Sequence, residues 1–486
     1  MSTPAPPDWQ PMQPTQTTQP ESVEAALYEV RRKIYPRAVS GLFARWRVWT
    51  VLLTQLLFYG LPWMSWNGRQ AVLFDLAGRK FHIFGLVMWP QDIIFLTVLL
   101  VISALSLFLF TALAGRLFCG YACPQTVYTE IFMWIERKIE GDRFARIRLD
   151  SDPWSLRKLR LKTAKHFAWG AIALWTGFTF VGYFTPIREL AHAVVTFSLG
   201  PWETFWLLFY SVATWGNAGF LREQVCKYMC PYARFQSVMV DHDTLVVTYD
   251  PVRGDPRGKR SKREDHRKAG LGDCVDCSIC VQVCPTGIDI RDGLQYECIG
   301  CGACIDACDQ VMDKMMYPRG LIRYTSERAI EERLTSAEAR RHIKRPRILI
   351  YSVLWVVLVG AFFTALAMRS PLKVDVIRDR GALAREVEGG MIENVYRLQL
   401  INTTEAPMPL RITAEGLPAL EVRGLPAETE GVVVVAAASN LLVPVRLRLP
   451  MDAAEPGTHA IRFRIDSLQP DGGTEVREAS SFIVPR

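Results

Sequence analysis

The chain has 486 residues, half of them hydrophobic, yet Lys and Arg together exceed Asp and Glu by eight. Such a length is too great for one compact core and sets an expectation of two to four modules. A positive mean hydropathy beside a basic balance is rare in soluble enzymes and natural in a membrane protein with basic cytoplasmic loops. No nucleic-acid module accompanies the charge, which argues against nucleic acid as a partner.

The first thirty residues are rich in Pro, Gln and Thr and lack an apolar core. They read as a disordered tail, about 1–40 in a division into domains, and not as a signal peptide. Apolar segments at 46–64, 91–114, 166–184 and 346–368 each approach the ~20 residues that a spanning helix requires. A fifth, about 200–220, is diluted by Asn217 and glycines, which membrane helices tolerate when the polar group finds a partner.

Loop charge orients these five predicted spans. Arg31, Arg32, Lys33, Arg37, Arg45 and Arg47 flank the first, and the connection from Arg116 to Lys165 holds eleven Lys or Arg. The 65–90 loop has only Arg69, Arg79 and Lys80, and the 185–199 loop only Arg188. The expected topology puts the N-terminus, the basic connection and residues 222–345 in the cytoplasm, and the C-terminus outside. Within 222–345, Arg257-Gly-Lys-Arg-Ser-Lys-Arg263 reads either as a flexible charged linker or as a contact for anionic lipid headgroups.

All twelve cysteines fall into four tight groups, a pattern of metal ligation in a reducing compartment rather than of disulfides. Cys274, Cys277, Cys280, Cys284 and Pro285 fit the C-x₂-C-x₂-C-x₃-C-P run of bacterial ferredoxins. Cys298, Cys301, Cys304 and Cys308 repeat the spacing, with Asp309 where proline is usual. In two-cluster ferredoxins the fourth cysteine of each run crosses to the other cluster. One [4Fe–4S] cluster is therefore expected on Cys274, Cys277, Cys280 and Cys308, and a second on Cys298, Cys301, Cys304 and Cys284. Zinc ribbons pair two C-x₂-C knuckles across a longer gap, so zinc is the weaker reading.

The remaining thiols form matching pairs, Cys119-Gly-Tyr-Ala-Cys123-Pro124 and Cys226-Lys-Tyr-Met-Cys230-Pro231, each just beyond a predicted span. The i, i+4 spacing predicts both sulfurs of a pair on one helix face, with the proline ending or kinking that helix. Two such pairs at equal depth would make a four-thiolate site, and soft thiolates favour Cu(I) or an iron–sulfur cluster. His82, His166, His192, His242, His266, His342 and His459 lie at span ends or in loops, which disfavours a bis-histidine haem inside the bilayer. Neither a P-loop nor a G-x-G-x-x-G after a strand supports ATP or NAD chemistry.

After Met368 the pattern alternates in Tyr396-Arg-Leu-Gln-Leu400, Val445-Arg-Leu-Arg-Leu449 and Ile461-Arg-Phe-Arg-Ile465, and Pro470-Asp-Gly-Gly473 signals a turn. Residues 369–486 therefore read as an immunoglobulin-like β-sandwich that serves binding or docking. The predicted fold is multi-domain. A membrane bundle of about five helices (41–221 and 346–368) carries a cytoplasmic two-cluster ferredoxin-like insert (222–345) and the outer sandwich.

Taken together, the spans, both Cys-x₃-Cys-Pro pairs, the double ferredoxin run and the sandwich resemble the FixG/CcoG (RdxA) accessory proteins of the cbb-type cytochrome oxidase. Gly115-Arg-Leu-Phe-Cys-Gly-Tyr-Ala-Cys-Pro-Gln125 and Cys226-Lys-Tyr-Met-Cys-Pro231 look like that family's signatures. The resemblance implies a bacterial inner-membrane protein that reduces Cu(II) to Cu(I) for the oxidase. Cys119, Cys123, Cys226 and Cys230 would then be a copper site or a redox relay. Its implied partners are oxidase subunits or copper chaperones, membrane lipids, an electron donor and a further copy of the chain. Two other classes stand beside it: a quinol-linked relay like NapH and NosR, which share the Cys-x₃-Cys-Pro pairs, and a non-redox assembly scaffold.

Overall fold

The computed structural model describes residues 33–334 without 263 and 266, then 338, 345–379, 384–426, 431–469 and 473–485. Most of the predicted tail, Arg263, His266, His342 and residues 470–472 of the predicted turn lie outside the described residues.

Each of the five apolar segments forms a helix, with shifted ends. The first is Leu42–Gly60, starting earlier than hydropathy suggests because a distant carboxylate, that of Asp306, caps it. Ile93–Ala114 and Pro346–Ala367 match their expected bounds closely, and with the turn at Pro90 they are, among the described residues, the two helices long and apolar enough to cross a membrane. They lie side by side. Trp355 Nε1 donates to Ser106 Oγ at 2.7 Å, Arg345 Nη2 donates to the Ala112 carbonyl at 2.7 Å, and Arg369 Nη2 donates to Asp92 Oδ2 at 2.6 Å.

Leu156–Val181 begins well before the predicted 166. Arg157, Lys158, Arg160 and Lys162 are therefore helical rather than in a loop, and Ser155 Oγ caps the start by accepting from Lys158 N. Two further helices, Pro124–Glu140 and Arg143–Ser151, occupy the rest of the basic connection. Straight-chain basic residues are good helix formers, and acidic partners lower the cost of burying them. Glu136 meets Arg146 at 3.1 Å and Arg222 at 2.8 Å, and Glu140 meets Lys165 at 3.0 Å.

The weaker segment is helical over Pro201–Thr214 and continues through Trp215–Leu221 as a π-helix. It packs tightly on Leu156–Val181 at Gly177, where a Cβ would stand 2.5 Å from the Leu207 carbonyl. The 65–90 connection is not open loop. Ser65–Trp66 pairs with Arg69–Gln70, and Val72–Asp75, Lys80–Ile83 and Leu86–Met88 form a three-stranded antiparallel sheet.

The cysteine-rich insert is closed by a two-stranded antiparallel ladder, Val246–Tyr249 with Ile322–Thr325. The basic linker is less free than its charge suggests. Arg260 donates to the Gly272 carbonyl at 2.7 Å and to the Cys274 carbonyl at 3.3 Å, and lies over the Tyr317 ring.

The C-terminal region consists of two antiparallel sheets. Strand Met391–Asn402 lies between Asn440–Pro450 and Leu372–Arg378 in one, and Met408–Glu415 and Gly457–Ser467 are central in the other. The alternation sets the faces: Val445, Leu447 and Leu449 are fully buried, while Arg446 points out. Tyr396 and Phe463, one from each sheet, meet edge to face at 5.1 Å. This sandwich docks on the 65–90 sheets through Ile401 against Val87 and Trp89, and through Arg369 and Lys373 on the buried Asp92.

Candidate iron–sulfur and thiol site

The ferredoxin-like runs are held on two short helices and the loops before them. Ile279–Val283 carries Cys280 and ends into Cys284, and Ala303–Met315 carries Cys304 and Cys308. Asp276, Ser278, Gly300 and Gly302 take left-handed backbone conformations between the thiols, which turns the chain sharply enough for consecutive sulfurs to face inward. Glycine adopts that conformation freely.

Two thiol sets result. Cys284 joins Cys298, Cys301 and Cys304 around a small cavity that Cys280, Ile288 and Ile290 also line. Burial raises the Cys304 thiol well above its ordinary range, and the Cys301, Cys298 and Cys284 sulfurs add to the rise. In the other set burial pushes Cys308 up to about 12, helped by Cys280, Cys274 and Cys277. The fourth cysteine of each run thus neighbours thiols of the other run. Cysteine ligates metal as the thiolate, so loading metal expels thiol protons. Asp309 accepts from the Gly320 N–H at 3.0 Å instead of breaking the helix as proline would.

The Cys-x₃-Cys-Pro pairs depart from the expectation of two sulfurs on one helix face. Cys119 is in the short helix Leu117–Tyr121, whereas Cys123 is the N-cap of Pro124–Glu140. Cys226 is in a π-helix, Val225–Met229, and Cys230 caps Pro231–Met239. Each proline starts the next helix rather than ending the last one, because its missing N–H costs nothing at a first helical position. Both pairs nevertheless come to one place. Burial raises Cys119 to about 12, with Cys123 and Cys226 adding to it, and raises Cys226 to about 11, with Cys123 and Cys230 adding to it.

This group packs against the second thiol set. Cys119 shares an apolar cluster with Val283, Ile299, Cys301 and Ala303. Gly120 lets the backbones touch, since a Cβ there would stand 2.9 Å from the Gly300 and Ile299 carbonyls. Tyr121 donates its hydroxyl to the Cys301 carbonyl at 3.3 Å.

Three side chains that motif reading passes over complete the surroundings. Arg116, buried and donating to the Ala233 carbonyl, opposes the upward shift of Cys119, Cys226 and Cys298 alike. Gln236, fully buried, accepts from Cys119 Sγ at 3.5 Å. Asp306 ties the second run to the first long helix. Arg116 sits in the motif and could have been flagged by it, whereas Gln236 and Asp306 carry no local signal. Of the histidines, His242 pairs with Glu327 at 3.1 Å, and His166 stacks on Phe220.

Comparisons with known proteins agree with this geometry. Residues 221–327 match the family model described as a 4Fe-4S dicluster domain, 94–141 match one described as a 4Fe-4S binding domain, and 362–485 match one described as the "IG-like fold at C-terminal of FixG". Two [4Fe–4S] clusters are accordingly cofactors of this chain, and its C-terminal domain is immunoglobulin-like. The chain is 40% identical to "Protein RdxA" of Cereibacter sphaeroides, over 94% of itself and 98% of that protein. It is 43% identical to "Protein RdxB" of the same organism, over 84% of itself and 88% of that protein. It is 40% identical to "Nitrogen fixation protein FixG" of Rhizobium meliloti, over 84% of each. A solved FixG-related protein from Vibrio parahaemolyticus aligns at 26% identity over 24% of this chain and 97% of that one, with a TM-score of 0.21. Similarity of this extent means that the chain belongs to the FixG/RdxA family.

Proposed function

We propose that this protein is a membrane-bound iron–sulfur electron carrier that supports assembly of a cbb-type cytochrome oxidase by reducing Cu(II) to Cu(I). One observation carries the reading: the two runs and the paired thiols form a file of three adjoining sulfur groups, joined by the Gly120 and Cys119 packing. Electrons would enter at the cluster on Cys274, Cys277, Cys280 and Cys308. They would pass to the cluster on Cys298, Cys301, Cys304 and Cys284, and leave through Cys119, Cys123, Cys226 and Cys230, as a copper site or a relay. Thiolates suit the cuprous ion, so a one-electron donor beside them is the chemistry that copper delivery needs.

Five crossings of a bacterial inner membrane, with the insert in the cytoplasm and the sandwich in the periplasm, suit the charge pattern. The outward apolar side chains of four of the helices, among them Trp49, Leu56, Leu100, Phe209 and Val353, support a lipid surround. Oxidase subunits or copper chaperones are the partners in this reading. The test is anaerobic purification with metal analysis, followed by Cu(II) reduction read with a Cu(I)-specific chromogenic chelator. Cluster-loaded protein that leaves Cu(II) untouched would refute the copper role.

A specific observation also favours quinol as the source of electrons. A cavity of about 330 Å³ lies between Leu156–Val181 and the π-helix, with His166, Trp169 and Phe220 beside Lys165 and Arg222. Apolar walls with a few convergent polar groups are the usual form of a small-molecule site. Reduction of the clusters by a short-chain quinol would select this alternative.

A further inference from the structure

We propose that a cavity at the start of the first apolar helix binds the phosphate of an anionic phospholipid, with an acyl chain lying along that helix. The proposal rests on the membrane-spanning part of the reading above and adds a ligand to it.

The cavity, of about 240 Å³, lies where residues 36–39, the first turns of Leu42–Gly60, the helices Pro124–Glu140 and Arg143–Ser151, and Val283 and Pro285 come together. Hydrogen bonds fix the meeting. Arg37 N donates to the Gln282 carbonyl at 2.8 Å, and Arg146 Nη2 donates to the Pro36 carbonyl at 2.6 Å. A site held in place beforehand spares a ligand the cost of ordering it. The volume is below the ~300–1,000 Å³ of sites that enclose a drug-sized molecule, which suits a headgroup whose chains lie outside.

Charge is the first argument. Among the described residues, the guanidinium groups of Arg37, Arg47, Arg137 and Arg146 line the cavity against a single acid, Glu130. Their engagement is incomplete. Arg146 is only 4% exposed and paired with Glu136, yet its Nε has no partner among the described residues. The Arg47 side chain, 11% exposed, reaches Glu130 at a long 3.4 Å, and its Nε is likewise unpartnered. The Arg37 and Arg137 side chains make no hydrogen bond or ion pair with any other described residue. Buried donors are rarely left unpaired, and the planar guanidinium fork matches the paired oxygens of a phosphate.

An apolar track is the second, independent argument, and it points to a lipid rather than to free phosphate. Val48 lines the cavity and is half exposed, and Leu52 and Leu56 continue from it at four-residue steps, 56% and 73% exposed. Residues so spaced share one helix face. The track therefore leads from the guanidinium groups along the helix, the layout of a charged head with an acyl tail. Trp46 and Trp49, both exposed, stand in the same turns, and tryptophan collects at the headgroup level of a bilayer. Basic pockets between helices on the cytoplasmic side bind such headgroups. Val283 and Pro285 flank Cys284, so the headgroup would stand beside the loop of the second cluster.

The test is native mass spectrometry of the full-length chain in mild detergent, offered phosphatidylglycerol and phosphatidylcholine in equal amounts. Phosphatidylglycerol should be retained about tenfold or more tightly over phosphatidylcholine. Arg37→Gln and Arg137→Gln should each weaken it about fivefold, the worth of one basic residue at a lipid surface. Unaltered cluster absorbance verifies that these variants fold. Lys259→Gln combined with Lys262→Gln, in the basic linker, should leave retention unchanged. In the unsubstituted chain a photoreactive phosphatidylglycerol should label peptides within 36–48 and 130–137, which decides the matter should a variant fail to fold. Equal retention of both lipids, labelling confined to other peptides, or an equal loss in the linker variant would overturn the site in favour of diffuse charge attraction. Displacement of the lipid by millimolar inorganic phosphate would overturn the lipid and give the cavity to a soluble phosphate. A chain that stays in solution without detergent would instead sink the membrane reading itself.

Discussion

The Asp306 carboxylate accepts the backbone N–H groups of Phe43 at 3.2 Å and Ala44 at 2.7 Å, so a residue between two cluster cysteines caps the first apolar helix. The local N-cap is Gly41, which has no side chain to do this and could not have one: a Cβ there would fall 2.2 Å from Asp306 Cγ.

Removing this cap should loosen the insert from the helix. Asp306→Ala is expected to cost about 1 kcal/mol, the usual worth of a lost N-cap. Gly41→Ala should act in the same direction by displacing the carboxylate. The readout is the temperature at which visible cluster absorbance bleaches under anaerobic heating. Unchanged bleaching in both variants would show that the cap holds nothing together.

Arg116 stands between the paired thiols and Cys298. Reduction adds an electron to a cluster, and a nearby guanidinium favours that state electrostatically. Arg116→Gln should therefore move the midpoint potential of the cluster near Cys298 to more negative values in a redox titration. A shift to more positive values would contradict the assigned sign.

Burial first, then Arg69 and Lys80, lowers the His82 imidazole from 6.5 to about 4. A folded value below the unfolded one means that the neutral ring contributes stability fully above pH 6.5. That contribution is lost as pH falls toward 4. Amide exchange in residues 72–88 should accelerate across that window, and His82→Phe should flatten the response. Equal pH dependence in both proteins would exclude the histidine as its cause.

Alkaline phosphatase fused after Arg486 should be active, whereas a fusion near Lys268 should be silent. The motivation is the contrast of eleven basic residues between Arg116 and Lys165 with three and one in the 65–90 and 185–199 loops. The reverse pattern would reject the orientation.

What could be read directly from the sequence was whatever is encoded by period or spacing. Hydropathy located five helices, alternation located the strands at 396–400, 445–449 and 461–465, and the cysteine intervals marked out the two four-thiol runs. The missing parts depend on tertiary partners. Helix Leu156–Val181 starts early because Ser155 caps it and because Glu136 and Glu140, on another helix, neutralise basic residues packed beside them. Cys119 and Cys123 do not share a helix because the chain breaks at Ala122 and restarts at Pro124, which a pattern of five residues does not disclose. Gln236 is an ordinary glutamine until the fold buries it beside a thiol.

The pairing of Ile93–Ala114 with Pro346–Ala367 has a mechanical consequence. These helices are pinned at one end by Arg369 on Asp92, midway by Trp355 on Ser106, and at the other end by Arg345 on Ala112. Two rods fastened at three heights behave as a single strut. Its far end carries the sandwich, and its near end stops at Ala114, a few residues before the first thiol pair. The turn at Gly115 and the first thiol pair therefore stand at the opposite end of this strut from the sandwich, rigidly related to it through the two helices.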